Sequence, residues 1–107
     1  MANVFKNAGV AIGNTNTTLY TCPVSTTTVV HAVYISNVDG TNDATIDLYV
    51  TDTSAGSDFY IMKTVDVPAD STLVIEKPIN LEAGDILKAT ASANGDLQAF
   101  ASVLEIT

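Results

Sequence analysis

Two residues hold most of the chain's capacity for nucleophilic chemistry, and each occurs once: Cys22 and His31. Both fall on strand-like segments, so strand pairing could bring thiol and imidazole together as a dyad. A working dyad also needs a group that orients the imidazole, and no such residue suggests itself. Cys22 ends the run Thr18-Leu19-Tyr20-Thr21-Cys22 just ahead of Pro23, which reads as a buried, inert thiol. His31 lies between Val30 and Ala32 and reads as a core or interface histidine with its ring nitrogens satisfied. One cysteine and one histidine cannot supply a zinc site, and a lone cysteine has no internal disulfide partner.

Oxygen ligands are more plentiful. Asp39-Gly40-Thr41-Asn42-Asp43 gathers several in a tight loop, the donor type that hard cations favour. The run does not follow the calcium loop of helix-loop-helix proteins, because its glycine is misplaced and the twelfth position is Val50. It reads as a solvated hairpin, as does Asp52-Thr53-Ser54-Ala55-Gly56-Ser57-Asp58. Glycoside hydrolysis needs two carboxyl groups across a cleft. The acids here fall in turns or at wet strand edges, apart from Asp47 and Asp66, and neither has an evident partner. No glycine-rich phosphate loop and no Gly-x-Ser-x-Gly elbow occurs. Asn16-Thr17-Thr18 fits a glycosylation acceptor but has no secretory leader ahead of it. The expectation is a non-enzymatic protein without cofactor or metal.

The elements that would position these residues are strands. Thr, Val and Ile make up about a third of the chain; their branched side chains suit a pleated sheet and lose freedom in a helix. Turn signals recur about every ten residues, the rhythm of a sandwich or small barrel. Strands are expected at 17–22, 28–37, 45–51, 59–67, 73–75 and 86–91, with a last one running to the C-terminus. Asn94-Gly95-Asp96 is the strongest hairpin signal. In 28–37, strict alternation puts Val29, His31, Val33 and Ile35 on one face and Val30, Ala32 and Tyr34 on the other. Both faces are apolar, so this strand is expected at the centre with something packed on each side. In 45–51, Ile46, Leu48 and Val50 face the core. With no tryptophan, the tyrosines and phenylalanines are expected to fill the interior. The fold expected is all-β: one antiparallel sandwich of about seven to eight strands over residues 1–107, with 1–12 as an N-terminal arm or an edge strand.

A chain of 107 residues is long enough to bury a core without disulfides. Only 15% of it is charged, and the net charge is −8 with 4 basic residues, all lysine. That balance excludes nucleic-acid binding, which rests on cations that neutralise phosphate, and disfavours an anionic membrane surface. No apolar run approaches the ~20 residues of a membrane helix, and the start lacks a secretory signal. The chain is expected to be complete and made in the cytoplasm.

The segments Met1-Ala2-Asn3-Val4-Phe5-Lys6-Asn7, Leu19-Tyr20-Thr21-Cys22-Pro23, Leu81-Glu82-Ala83-Gly84-Asp85 and Ser102-Val103-Leu104-Glu105-Ile106-Thr107, taken in order, resemble those of small β-sandwich virion proteins of tailed bacteriophages. The closest likeness within that group is to capsid decoration, or cement, proteins. The resemblance implies a many-copy particle component that binds the major capsid protein or other virion proteins on the outer shell. It also implies a homo-oligomer, with a trimer favoured. Asn3, Val4, Phe5, Lys6 and Asn7 are then the expected interface, since Phe5 sits where a terminus usually frays. Two other roles fit such a virion protein. One is a tail, neck or baseplate subunit. The other is a displayed host- or carbohydrate-binding module using Tyr20, Tyr34, Tyr49 or Tyr60.

Overall fold

The computed structural model describes residues 2–107. Nine strands and no helix occur among them: β1 (Asn3–Ile12), β2 (Thr17–Thr21), β3 (Thr27–Asn37), β4 (Ala44–Asp52), β5 (Ser57–Val67), β6 (Thr72–Ile75), β7 (Ile79–Leu81), β8 (Ile86–Ala91) and β9 (Leu97–Ile106). All pairings are antiparallel: β1 with β9, β2 with β8, β4 with β5, and β3 with β6, β7 and β9, while β4 also pairs with β8. The first set of pairs is that of one long hairpin turning between β4 and β5. Rolling this ribbon over itself places alternate pairs in opposite sheets. The first sheet runs β1-β9-β3-β6, with β7 also on β3, and the second runs β2-β8-β4-β5. This is the jelly-roll form of the antiparallel sandwich. Lys77-Pro78 explains the ninth strand. Proline cannot donate to a ladder, so the arm opposite β3 is cut into β6 and β7.

The sandwich expected from the sequence is present, but β3 departs from strict alternation. Its register with β9 runs to Val30↔Val103 and resumes at Ala32↔Ser102, which leaves His31 as the extra residue of a bulge. A bulge reverses the phase of the strand beyond it. Thr28 and Val30 therefore face inward before it, and Val33, Ile35 and Asn37 after it. Val29 and His31, grouped by alternation with Val33 and Ile35, point outward instead.

The interior is aliphatic. Ile12, Val30, Ile35, Leu48, Leu87 and Val103 are all fully buried. The aromatic filling expected from the sequence is overturned for the phenylalanines, since Phe5, Phe59 and Phe100 are 74%, 55% and 46% exposed, while Tyr49 is buried and Tyr20 packs against the core. Ala89, Ala91, Ala99 and Ala101 occupy inward positions of β8 and β9, so branched aliphatic side chains suffice to fill the space. Rings would overpack it.

One buried side chain ties the loops at one end of the sandwich. Asn37 donates from Nδ2 to the carbonyls of Asn42 and Val67 at 3.0 and 2.9 Å, and its Oδ1 accepts from Asp39 N at 2.9 Å. Asn37→Ala leaves these backbone groups without a partner, at about 1–3 kcal/mol. A lower urea midpoint with unchanged slope is the expected reading.

Candidate functional site

Cys22 and His31 do not meet. Cys22 is 1% exposed, with Sγ 3.2 Å from the Thr28 hydroxyl and 3.3 Å from the Thr26 carbonyl. His31 is not a core histidine: it is exposed on the opposite face of β3, stacked on Phe5 with ring centroids 5.9 Å apart. The bulge turns it outward, away from the thiol.

In each acidic loop the leading aspartate uses its carboxylate on the loop's own backbone, while Asp43 accepts from Ala69 N and Asp58 from the Thr51 hydroxyl. Asp39 Oδ1 accepts from Thr41 N at 2.8 Å and Asn42 N at 3.1 Å, and these bonds lower its pKa. Asp52 Oδ1 accepts from Ser54 Oγ, Ser54 N and Ala55 N, with the same effect. Both are turn-forming aspartates. Carboxylate oxygens of Asp52, Glu82 and Asp85 come within 4.8 Å of one another. Asp85 is nonetheless committed to the fold. Its Oδ1 accepts from Thr53 N at 3.1 Å and its Oδ2 from Glu82 N at 2.9 Å.

Three acids therefore depart from the expectation of wet turns and edges or of having no partner. Asp85 is 4% exposed and Glu105 is 7% exposed. Asp47 is paired, with Lys63 Nζ at 3.3 Å and Thr64 N at 2.7 Å. Thr64 has φ of +52° at an irregularity of β5, an unfavourable backbone for a β-branched residue, and the Asp47 carboxylate holds it there.

Glu105 forms a clasp between the sheets. Its Oε1 lies 3.0 Å from Lys6 Nζ, and its Oε2 accepts from the Tyr20 hydroxyl at 2.5 Å. Tyr20 Oη also lies 2.9 Å from Thr28 Oγ1, which contacts Cys22. Strands β1, β9 and β3 of the first sheet thus join β2 of the second. Burial, followed by the bond to Glu105, pushes the Tyr20 pKa up to about 12. The hydrogen bond from Tyr20, then that from Lys6, holds the Glu105 carboxyl below the usual carboxylate range. The sequence signal was slight: the glutamate lies two residues beyond Val103, on the inward phase of β9.

The four tyrosines do not form one platform. Tyr34 is 40% exposed on the first sheet and Tyr60 is 51% exposed on the second. Tyr49 is buried against Tyr60 at 4.9 Å, with its hydroxyl bonded to Asn16, and Tyr20 belongs to the clasp. Asn3, Val4, Phe5, Lys6 and Asn7 form the first half of β1, paired with β9 from Asn3↔Ile106 to Asn7↔Ser102. Phe5 shares its outward row with Leu104 and Val29. Met1 lies outside the described residues.

The surface feature that stands out is the outer face of the first sheet. Gly9, Phe100, Tyr34 and Val74 make one row across β1, β9, β3 and β6. A side chain at Gly9 would meet the Phe100 ring at 3.3 Å, so the glycine makes room for the ring. A shallow depression of about 360 Å³ runs beside this row, bordered by Gly9, Tyr34, Ser36, Gln98 and Phe100. Antiparallel sheets usually show water a polar face; this one shows aromatic rings.

No protein-family model matches the chain, and no curated protein matches it in sequence. Solved structures do. The chain is similar to one in the acidic stable capsid structure of Helicobacter pylori bacteriophage KHP30, with a TM-score of 0.60 and 12% identity over 100% of this chain and 89% of that one. The likeness is one of fold. A second similar chain comes from the disulfide-linked pili that form Bacillus endospore appendages, with a TM-score of 0.55 and 16% identity over 99% and 87% of the two chains. A third comes from the structure of infectious bursal disease virus, Gx strain, with a TM-score of 0.52 and 11% identity. There the alignment covers 97% of this chain and 31% of that one. Proteins that share the jelly roll with this chain thus include a phage capsid chain.

Two measurements test the clasp. The fold disfavours ionised Tyr20, so its contribution is complete below pH 10 and is lost as the pH rises to about 12. Glu105 acts in the opposite sense: its contribution is present above the usual carboxylate range and is lost as the pH falls through its lowered value. Tyr20→Phe is expected to reduce the alkaline loss of urea stability, and to make the acid loss smaller and complete at a higher pH. A profile superimposable on the wild type would contradict this assignment. Separately, Cys22 should react with a thiol reagent only in denaturant; rapid reaction in buffer would contradict its burial.

Proposed function

We propose that the chain is a non-enzymatic structural protein of a bacteriophage particle, acting as a decoration or cement protein on the outer shell. The observation that carries this reading is the two-faced first sheet, within a fold shared end to end with a chain of a phage capsid structure. A sheet that packs a core on one face and carries rings on the other is suited to being covered by neighbours. The acidic surface fits the outside of a shell better than contact with packaged DNA.

The work such a protein does is mechanical. Packaged nucleic acid presses outward, and a clamp across capsomer joints adds buried area where the shell is weakest. Apolar burial contributes about 25 cal/mol per Å² before the cost of association, and symmetry repeats each contact. The major capsid protein is the proposed partner, and a homo-oligomer on the shell is the proposed arrangement. Phe5, on the outward row of β1, is the proposed shell or neighbour contact among Asn3 to Asn7.

The likeness to the pilus chain favours a second reading, a subunit of a surface appendage. Covalent linking of the kind named for those pili is closed to this chain as folded, because its single cysteine is buried.

Removing the gene from the phage that encodes it separates the possibilities. The cement role predicts particles that assemble, lack this protein on the head, and lose their genome at a lower temperature. Added protein should restore the wild-type temperature. Particles of unchanged heat stability would contradict the cement role, and absence of the protein from wild-type particles would contradict a virion role altogether.

A further inference from the structure

The outward positions of the first sheet carry no Asp, Glu or Lys. They run in five rows, from Asn3, Ile106 and Thr27 at one end to Ala11, Gln98, Ser36 and Thr72 at the other. Phe5 and Leu104, then Ser102 and Ala32, then Phe100 and Tyr34 fill the rows between, with His31 the one imidazole among them. The charges of the chain lie elsewhere, apart from Glu76 and Lys77, an exposed pair of opposite sign in the break between β6 and β7 at the edge of this sheet. Asp47, Lys63, Asp58, Asp66 and Lys88 belong to the strands of the second sheet. Asp39, Asp70 and Asp96 cluster at one loop end, where Asp70 N bonds Asp39 O and Val38 N bonds Asp96 O. Asp52, Glu82 and Asp85 gather at the other end. Lys6 and Glu105, the charged pair within the first sheet, are turned to its inner side and bonded to each other.

From this map we infer that the outer face of the first sheet is a self-association surface whose occupant is a second copy of this chain, packed sheet against sheet. Two molecules that each carry −8 repel wherever carboxylates face one another. With Glu76 confined to its edge beside Lys77, this face is the broad surface on which they can meet with few carboxylates opposed. Its size suits the role. Four strands about 4.8 Å apart and ten residues rising about 3.3 Å each span roughly 600 Å² in projection. The relief of the side chains brings that close to the ~800 Å² per partner of a standard interface. Phe100, seated over Gly9, and Tyr34 lie in its interior, where aromatic anchors dominate binding energy. Phe5 on His31 extends the apolar surface towards the far end. A two-fold axis through the face would set each copy's Phe100 row against the other's.

The inference extends the role proposed above, and purified protein tests it independently of any particle. Sedimentation velocity over a concentration series is expected to show a self-associating species in the wild type. Phe100→Asp and Tyr34→Asp should each weaken association by about 30-fold or more. Both side chains point away from the core, so circular dichroism and urea midpoints verify that the variants fold. Should one fail to fold, the other carries the test. Val24→Asp, at a residue 83% exposed and off this face, should associate as the wild type does. Added salt should leave association unchanged or strengthen it by screening the repulsion between copies. A wild type that stays monomeric throughout would overturn the inference, as would face variants that associate as tightly as the parent. Dissociation by moderate salt would overturn it too, since that marks an interface of ion pairs.

Discussion

A strand gives every second residue to each face, and β9 uses both sets. Leu97, Ala99, Ala101, Val103 and Glu105 point into the sandwich, while Gln98, Phe100, Ser102, Leu104 and Ile106 point out. The smaller side chains are inside, with the largest ring outside. Because β9 lies between β1 and β3 in the first sheet, its pattern propagates sideways. Opposite Phe100, β1 has a glycine and β3 a tyrosine; opposite Leu104, β1 has Phe5 and β3 has Val29. The alanines are compatible with an aliphatic core, and the outward rings give the sheet a second apolar face. The bulge at His31 preserves both, because without it the far half of β3 would turn Val33 and Ile35 to solvent.

The polar groups follow the same geometry. Glu105 is inward by phase, which would bury an unpaired charge at considerable cost. Lys6 and Tyr20 satisfy it, with Thr28 bonded to Tyr20 in turn, and so make a liability into a tie between the sheets. Most of the remaining acids are turn-formers at the two loop ends or members of the second sheet, and Glu76 lies in the break between β6 and β7, which leaves the strands of the first sheet without charge on their outer face. Acidity, low charge content and a two-faced sheet are thus parts of one arrangement: repulsion over most of the surface and adhesion over one face. The many-copy particle component proposed above would need such a division, since it would have to stay soluble when free and pack closely when assembled.

Much of this was legible in the residues. The all-β class, most strand positions, the Asn94-Gly95 hairpin and the two apolar faces of residues 28–37 follow from composition, turn chemistry and alternation. Three features did not, each for a physical reason. The bulge at His31 has no glycine to announce it, so alternation assigned Val29 and Val30 to the wrong faces. The aromatic residues were placed inside because large side chains usually go there, whereas interior alanines had already set the available volume. Glu105 and Asp85 were read by residue type as wet, although their partners, Tyr20 and Lys6 for one and backbone amides of Thr53 and Glu82 for the other, meet them only once the sheets have closed. The resemblance to phage virion proteins pointed to a fold that a chain of a phage capsid structure shares.

Hydroxyl-radical footprinting at high and low protein concentration tests the central claim, that the first sheet's outer face is covered in the assembled state. Phe5, Tyr34 and Phe100 should be strongly protected at high concentration and modified at low. Phe59 and Tyr60, similarly exposed but on the second sheet, should react alike in both. Equal modification of Tyr34 and Phe100 at the two concentrations, with protection at Phe59 and Tyr60 instead, would contradict it.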